Sequence, residues 1–85
     1  MSWYVYMLRC ADNTLYTGIT TDVKRRVEEH NFDNKKGAKY TKARRPVHLA
    51  YRKPCADRSA AASAEAALRK LSKLEKELLT AKPQL

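Results

Sequence analysis

From Trp3 to Cys10 the chain crowds aromatic, β-branched and long apolar side chains together (Trp3, Tyr4, Val5, Tyr6, Met7, Leu8), the composition of a strand. Ala11-Asp12-Asn13 carries turn chemistry, and Thr14 to Thr20 reads as the returning strand. The two runs predict a hairpin with a loop of about three to five residues. Asp22 stands where a helix N-cap is expected, and the helix runs from Val23 to His30, ending between Asn31 and Asn34. Its i, i+3, i+4, i+7 stripe holds Val23, Arg26, Val27 and His30, while Lys24, Arg25, Glu28 and Glu29 face outward. Two polar residues thus share the inward face with two valines. An unpaired buried charge is costly, so Arg26 has a partner or an anionic ligand, unless its head snorkels to the edge.

The polar pattern thickens from Lys35 to Arg45, with a short helix expected over Ala38–Ala43 and punctuation at Arg44-Arg45-Pro46. Val47 to Lys53 alternates well enough for a third strand, stopped by Pro54. Asp57 or Ser59 caps one long helix from Arg58 to Thr80, whose stripe is Ala64, Leu68, Leu71, Leu74 and Leu78. Glu75 and Glu77 read as solvated surface. Glu65 is a lone carboxylate among alanines, either solvent-facing filler, which composition favours, or a ligand held in a pocket. The order is ββα(α)βα. Two antiparallel strands come first, so the fold class is α+β: a three-stranded antiparallel sheet flanked by helices, not a doubly wound parallel sheet. One domain is expected over residues 1–80, with a frayed tail over 81–85.

With 85 residues, the chain has room for one small core. No apolar run approaches the roughly 20 residues of a membrane helix, and the first residues lack a basic leader; a cytoplasmic protein that neither spans nor binds membranes is expected. Cys10 and Cys55 read as free thiols, and with His30 and His48 they match no zinc spacing. Charge changes the picture most. Lys and Arg number 18 against 9 acids, a net charge of +9, which favours a polyanionic partner. Glu28 and Glu29 offset Lys24 and Arg25 locally. Between Asn34 and Ala56 there is no acid at all, so Lys35, Lys36, Lys39, Lys42, Arg44 and Arg45 are the candidate nucleic-acid contacts, with Arg52 and Lys53 beyond them. Tyr40, between Lys39 and Lys42, is either a base-stacking residue or a core plug.

Tyr4-Val5-Tyr6 on the first strand and Tyr16-Thr17-Gly18 on the second, Arg26 and His30 on the first helix and Glu65 on the last resemble, in order and spacing, the GIY-YIG nuclease domain. Closest in pattern are its small stand-alone bacterial members and the nuclease domain of Slx-type structure-specific endonucleases. The resemblance covers Trp3 to about Leu79 and implies a metal-dependent DNA endonuclease that hydrolyses phosphodiester bonds, in DNA repair or nucleic-acid turnover. It implies that Glu65 holds one Mg²⁺ or Mn²⁺ and that Arg26 binds the scissile phosphate. Tyr6 would orient or deprotonate the attacking water, Tyr16 would position water or phosphate, and His30 would assist as a proton carrier. Tyr4 replaces the first glycine of the family pattern, Thr17 replaces an isoleucine, and Ile19 stands where some relatives have a lysine. With no separate targeting domain expected, selectivity falls to the basic segment or to a protein partner. The alternatives are a DNA-binding module that keeps the fold without catalysis, and an RNA-binding protein.

Overall fold

The computed structural model describes residues 2–81. Its centre is a strand whose two faces are both covered. In β1 (Trp3–Arg9), Val5, Tyr6, Met7 and Leu8 are each at most 1% exposed. A continuous apolar run of this kind belongs in the middle of a sheet, because alternation would leave one face wet. β2 (Leu15–Thr20) and β3 (His48–Cys55) flank it, both antiparallel, in the order β2-β1-β3. The register sets Tyr6 opposite Gly18 and Leu8 opposite Tyr16 on one side, and Tyr6 opposite Arg52 on the other. β3 continues through Pro54, which pairs with Tyr4 and does not stop the strand as the sequence suggested. Proline removes one backbone donor, and an edge strand has an outer row of donors it can spare.

The helices cover the two faces separately. α1 (Val23–Phe32) begins at Asp22, whose carboxylate accepts the Arg25 N–H at 3.0 Å. It lies on the face that packs Tyr6, Leu8, Cys10 and Val47 with Val27 and Tyr16. The short α2 (Lys39–Lys42) follows it. The other face packs Val5 and Met7 against Leu68, Ala64, Leu71 and Leu79. The chain is therefore three-layered, and its α+β class and its antiparallel three-stranded sheet agree with the sequence pattern.

One helix expected over 58–80 is two: α3 (Arg58–Arg69) and α4 (Lys73–Thr80). Ser72 starts the second with a capping box. Its hydroxyl accepts the Glu75 N–H at 3.1 Å, and the Glu75 carboxylate accepts the Ser72 N–H at 3.0 Å. The stripe changes direction at that break, so Leu71 and Leu79 reach the core while Leu74 and Leu78 stay 70% and 58% exposed. Glu77 is not free surface either; it pairs with Arg9 and ties α4 to the sheet. Ala81 caps α4 through its N–H to the Glu77 carbonyl, and the rest of the expected frayed tail, 82–85, lies outside the described residues. Cys10 and Cys55 are free thiols. No helix among the described residues is long and apolar enough to cross a membrane.

Candidate active site

The face under α1 is less oily than its position suggests. His30 has no solvent exposure. Its Nε2 lies 2.8 Å from the Tyr6 hydroxyl and its Nδ1 2.8 Å from Thr41 Oγ1. Thr41, fully buried on α2, donates its hydroxyl to the Ala38 carbonyl at 2.9 Å. Donors running in one direction satisfy the whole chain: Tyr6 O–H to Nε2, Nδ1–H to Thr41, Thr41 O–H to Ala38. Among the described residues no buried side-chain polar atom lacks a partner. Burial, then the nearby Arg26 and Arg45 cations, pull His30 down from 6.5 to about 4, with Glu29 opposing. The imidazole is neutral near pH 7.

Tyr6 reaches His30 because β2 leaves room for it. A Cβ on Gly18 would come within 2.6 Å of Tyr6 Cζ, so the third residue of the Tyr16-Thr17-Gly18 motif is a notch that seats the phenol. Burial raises the Tyr6 hydroxyl to about 12, against the Arg26 cation, which favours the phenolate; the Tyr16 and Glu65 charges add to the rise. The Arg26 guanidinium lies close enough to that hydroxyl for its charge to oppose the rise. Burial works against the charge of Arg26, and Glu29 and Tyr6 more than compensate, so its hold on its proton is strengthened. Arg26 Nη1 also donates to Glu29 at 3.0 Å and to the Lys36 carbonyl at 2.6 Å. The inward arginine thus has its partner on its own helix. Glu29, expected to face outward, serves Arg26 as well as Arg25, the latter at 3.7 Å.

Tyr16 presents an edge-on contact to His30 at 5.2 Å between ring centroids, and stacks with Tyr40 at 5.8 Å. Glu65 projects from α3, close enough for its charge to be felt at Tyr6, with Arg69 one turn on at 3.3 Å. Tyr6, Tyr16, Arg26 and His30 thus lie together from β1, β2 and α1, and Glu65 of α3 acts on them only through the longer-range effect of its charge on Tyr6. Among the described residues no group of three His, Cys, Asp or Glu stands together to cage a metal. One carboxylate is a donor set for a hard oxygen-seeking cation such as Mg²⁺ or Mn²⁺ that takes its other ligands from water and phosphate, and it does not suit a structural zinc ion.

The basic segment divides in two. Lys35, Lys36, Lys39 and Lys42 are exposed. Arg44 and Arg45 turn inward. Arg44 pairs with Asp12 at 2.9 Å and donates to the Tyr40 carbonyl at 3.0 Å. Arg45 donates to the His30 carbonyl at 2.6 Å, to Asn34 at 3.0 Å and to the Asp33 carbonyl at 3.1 Å. Counting acids within the segment missed Asp12, which arrives from the hairpin turn. Thr41 and Glu29 also escaped the sequence reading, and Gly18 entered it only as the last residue of the Tyr16-Thr17-Gly18 motif. Only Gly18 had a signal, as a glycine inside a strand, where another group often approaches closely.

A family model for the GIY-YIG catalytic domain matches residues 2–78. A UPF0213 protein of Desulfotalea psychrophila is 54% identical over 78 residues, covering 92% of this chain and 70% of its own. One from Natronomonas pharaonis is 51% identical over 78 residues, covering 92% of this chain and 89% of its own. Among solved structures, the solution NMR structure of a UPF0213 protein from Bacillus halodurans superposes with a TM-score of 0.59 at 41% identity, covering 95% of this chain and 84% of that one. The solution NMR structure of an E. faecalis protein has a TM-score of 0.61 at 38% identity, covering 100% of this chain and 93% of that one.

Proposed function

The chain belongs to the GIY-YIG family, and we infer that, like the nucleases of that family, it acts on nucleic acid with a divalent metal ion. From that premise we propose that it is a metal-dependent DNA endonuclease hydrolysing phosphodiester bonds, with Tyr6, Tyr16, Arg26, His30 and Glu65 as its working residues. The observation that carries this reading is the Tyr6–His30 hydrogen bond at 2.8 Å beside the Arg26 guanidinium.

A phenol raised to about 12 is a poor base by itself. Tyr6 takes a proton from an attacking water only as it releases its own to His30 Nε2, so a free phenolate never has to form. The water oxygen bonds to phosphorus as the bond from phosphorus to the leaving oxygen breaks; that oxygen leaves as an alkoxide and takes a proton from solvent water, while the proton of the attacking water ends, through Tyr6, on His30. The acquired proton makes His30 an imidazolium, and a phosphodiester beside Arg26 supplies negative charge that favours this otherwise depressed group. Arg26 is fixed by Glu29 and Lys36 before substrate arrives, so stabilising charge on the phosphate requires little reorganisation. Tyr16 orients water or phosphate. Glu65 would hold one Mg²⁺ or Mn²⁺, which supplies Lewis-acid stabilisation of the phosphate oxygens when bound. Lys35, Lys36, Lys39 and Lys42 are proposed as the outer phosphate contacts, and Arg44 and Arg45 as residues that shape the segment behind them. DNA repair or nucleic-acid turnover is the setting such chemistry serves.

The test is cleavage of plasmid, branched and single-stranded DNA, with RNA alongside, in Mg²⁺ and in Mn²⁺. Activity on DNA that falls by about 10²-fold or more in Glu65→Ala supports the reading. Salt-dependent binding without cleavage of any substrate would establish the non-catalytic module instead, and preference for RNA would move the substrate class.

A further inference from the structure

The Tyr16 ring is held by more than its strand. Tyr16 stacks with Tyr40 at 5.8 Å between centroids with 26° between planes, and the Arg44 guanidinium carbon sits 3.8 Å from the Tyr40 ring centroid. Ring contacts therefore run Arg44–Tyr40–Tyr16–His30 without a gap. A second set of bonds closes the path. Tyr40 donates its hydroxyl to Thr14 Oγ1 at 2.8 Å, and Thr14 donates to Asp12 at 2.6 Å. The other oxygen of Asp12 accepts Arg44 Nε at 2.9 Å, and Arg44 Nη1 returns to the Tyr40 carbonyl at 3.0 Å. The backbone joins in, with the Ala11 N–H on the Arg44 carbonyl at 2.9 Å. Thr14 immediately precedes β2, so the same loop of contacts grips Tyr16 through its ring and through the approach of its strand.

We propose that Tyr40 and Arg44 are positioning residues for Tyr16, locking its ring at the angle that places its hydroxyl at the substrate. The catalytic part of this claim rests on the nuclease reading of Tyr16; the structural part does not. Arg44 is poorly arranged to be a phosphate ligand in this state, because Asp12 neutralises it and Tyr40 lies under its face. Its neighbours on α2, Lys39 and Lys42, are exposed and make no such closed set. A planar fork that bonds in its plane while stacking with its face is an arginine's chemistry, and lysine does not reproduce it.

The experiment reads the Tyr16 ring directly. The chain has five tyrosines, so selective ¹³C labelling resolves their ring signals by NMR, with Tyr16→Phe assigning the one of interest. Tyr40→Leu and Arg44→Ala are expected to shift the Tyr16 ring signals and to lower kcat about tenfold or more with KM within about twofold. Tyr40→Phe, which keeps the stack and loses only the Thr14 bond, is expected to restore both. Arg44→Lys is expected to shift the ring signals too, and serves if Tyr40→Leu does not fold. Unmoved Tyr16 signals in Tyr40→Leu, or in Arg44→Lys where that variant stands in, would overturn the proposal, as would a raised KM with unchanged kcat, which would make the pair substrate contacts. If the wild-type chain cleaves nothing, the nuclease reading fails and the catalytic half of the proposal with it, while the ring signals still decide whether the clamp exists.

Discussion

The two faces of β1 are built on different principles. On one, Val5 and Met7 meet Leu68 and its apolar neighbours from α3 and α4. On the other, one residue further along each time, Tyr6 and Leu8 meet α1, and the deepest contact is the polar chain from Tyr6 through His30 to Thr41. An apolar face tolerates reshaping so long as volume is kept. A buried polar chain does not, because every member left without a partner carries the full desolvation cost. The same strand therefore carries an apolar face and a polar, hydrogen-bonded face, separated only by the pleat.

That division breaks most visibly at Met7. Met7→Ala should cost about 2–5 kcal/mol, read from urea unfolding, while leaving cleavage per folded molecule unchanged; a large loss of kcat would mean that the faces are coupled. Next is pH. His30 falls from 6.5 to about 4 on folding, so the folded state binds the proton less well than the unfolded chain. The His30 contribution is complete above about pH 6.5 and is lost as pH falls towards 4, by up to about 3 kcal/mol. Asp12, Asp33, Glu75 and Glu77 are all lowered by their partners, so their losses begin at lower pH, near the unfolded carboxylate range. Urea midpoints between pH 7 and 4.5 should show the His30 slope, and His30→Gln should flatten it. Gly18→Ala sharpens the comparison by filling the Tyr6 notch, with an expected cost of about 1–3 kcal/mol and a disturbed Tyr6 signal in the ring spectrum. The smallest effect belongs to the apolar side. Ser72→Ala should cost about 1 kcal/mol through loss of the α4 cap, with no change in the Tyr6 ring signal.

The sequence disclosed the elements whose pattern is local. The hairpin, α1 with its Asp22 cap, and the inward placement of Arg26 and His30 follow from periodicity and from the rule that a helix start needs an acceptor. What it concealed depends on where distant segments meet. Leu71, Leu74 and Leu78 keep a helical spacing straight through the turn at Ser72, so the stripe masked the break, although Ser72-Lys73-Leu74-Glu75 already spelled a capping box. Pro54 looked like a stop because edge and central strands differ only in their neighbours. Arg44 looked unpaired because its acid, Asp12, lies on the far side of the chain. The partner of His30 was hidden for a related reason: a lone threonine in a lysine-rich segment gives no sign that it will be buried beneath a helix.

The Gly18 notch has a consequence for access. With Tyr6 only 1% exposed and seated inside the neighbouring strand, its oxygen is recessed where stray electrophiles in solution arrive last. Tyr40, 37% exposed, is the tyrosine that solution reaches first. On the proposed mechanism, the phenol that relays the proton is thereby held back from bulk solution.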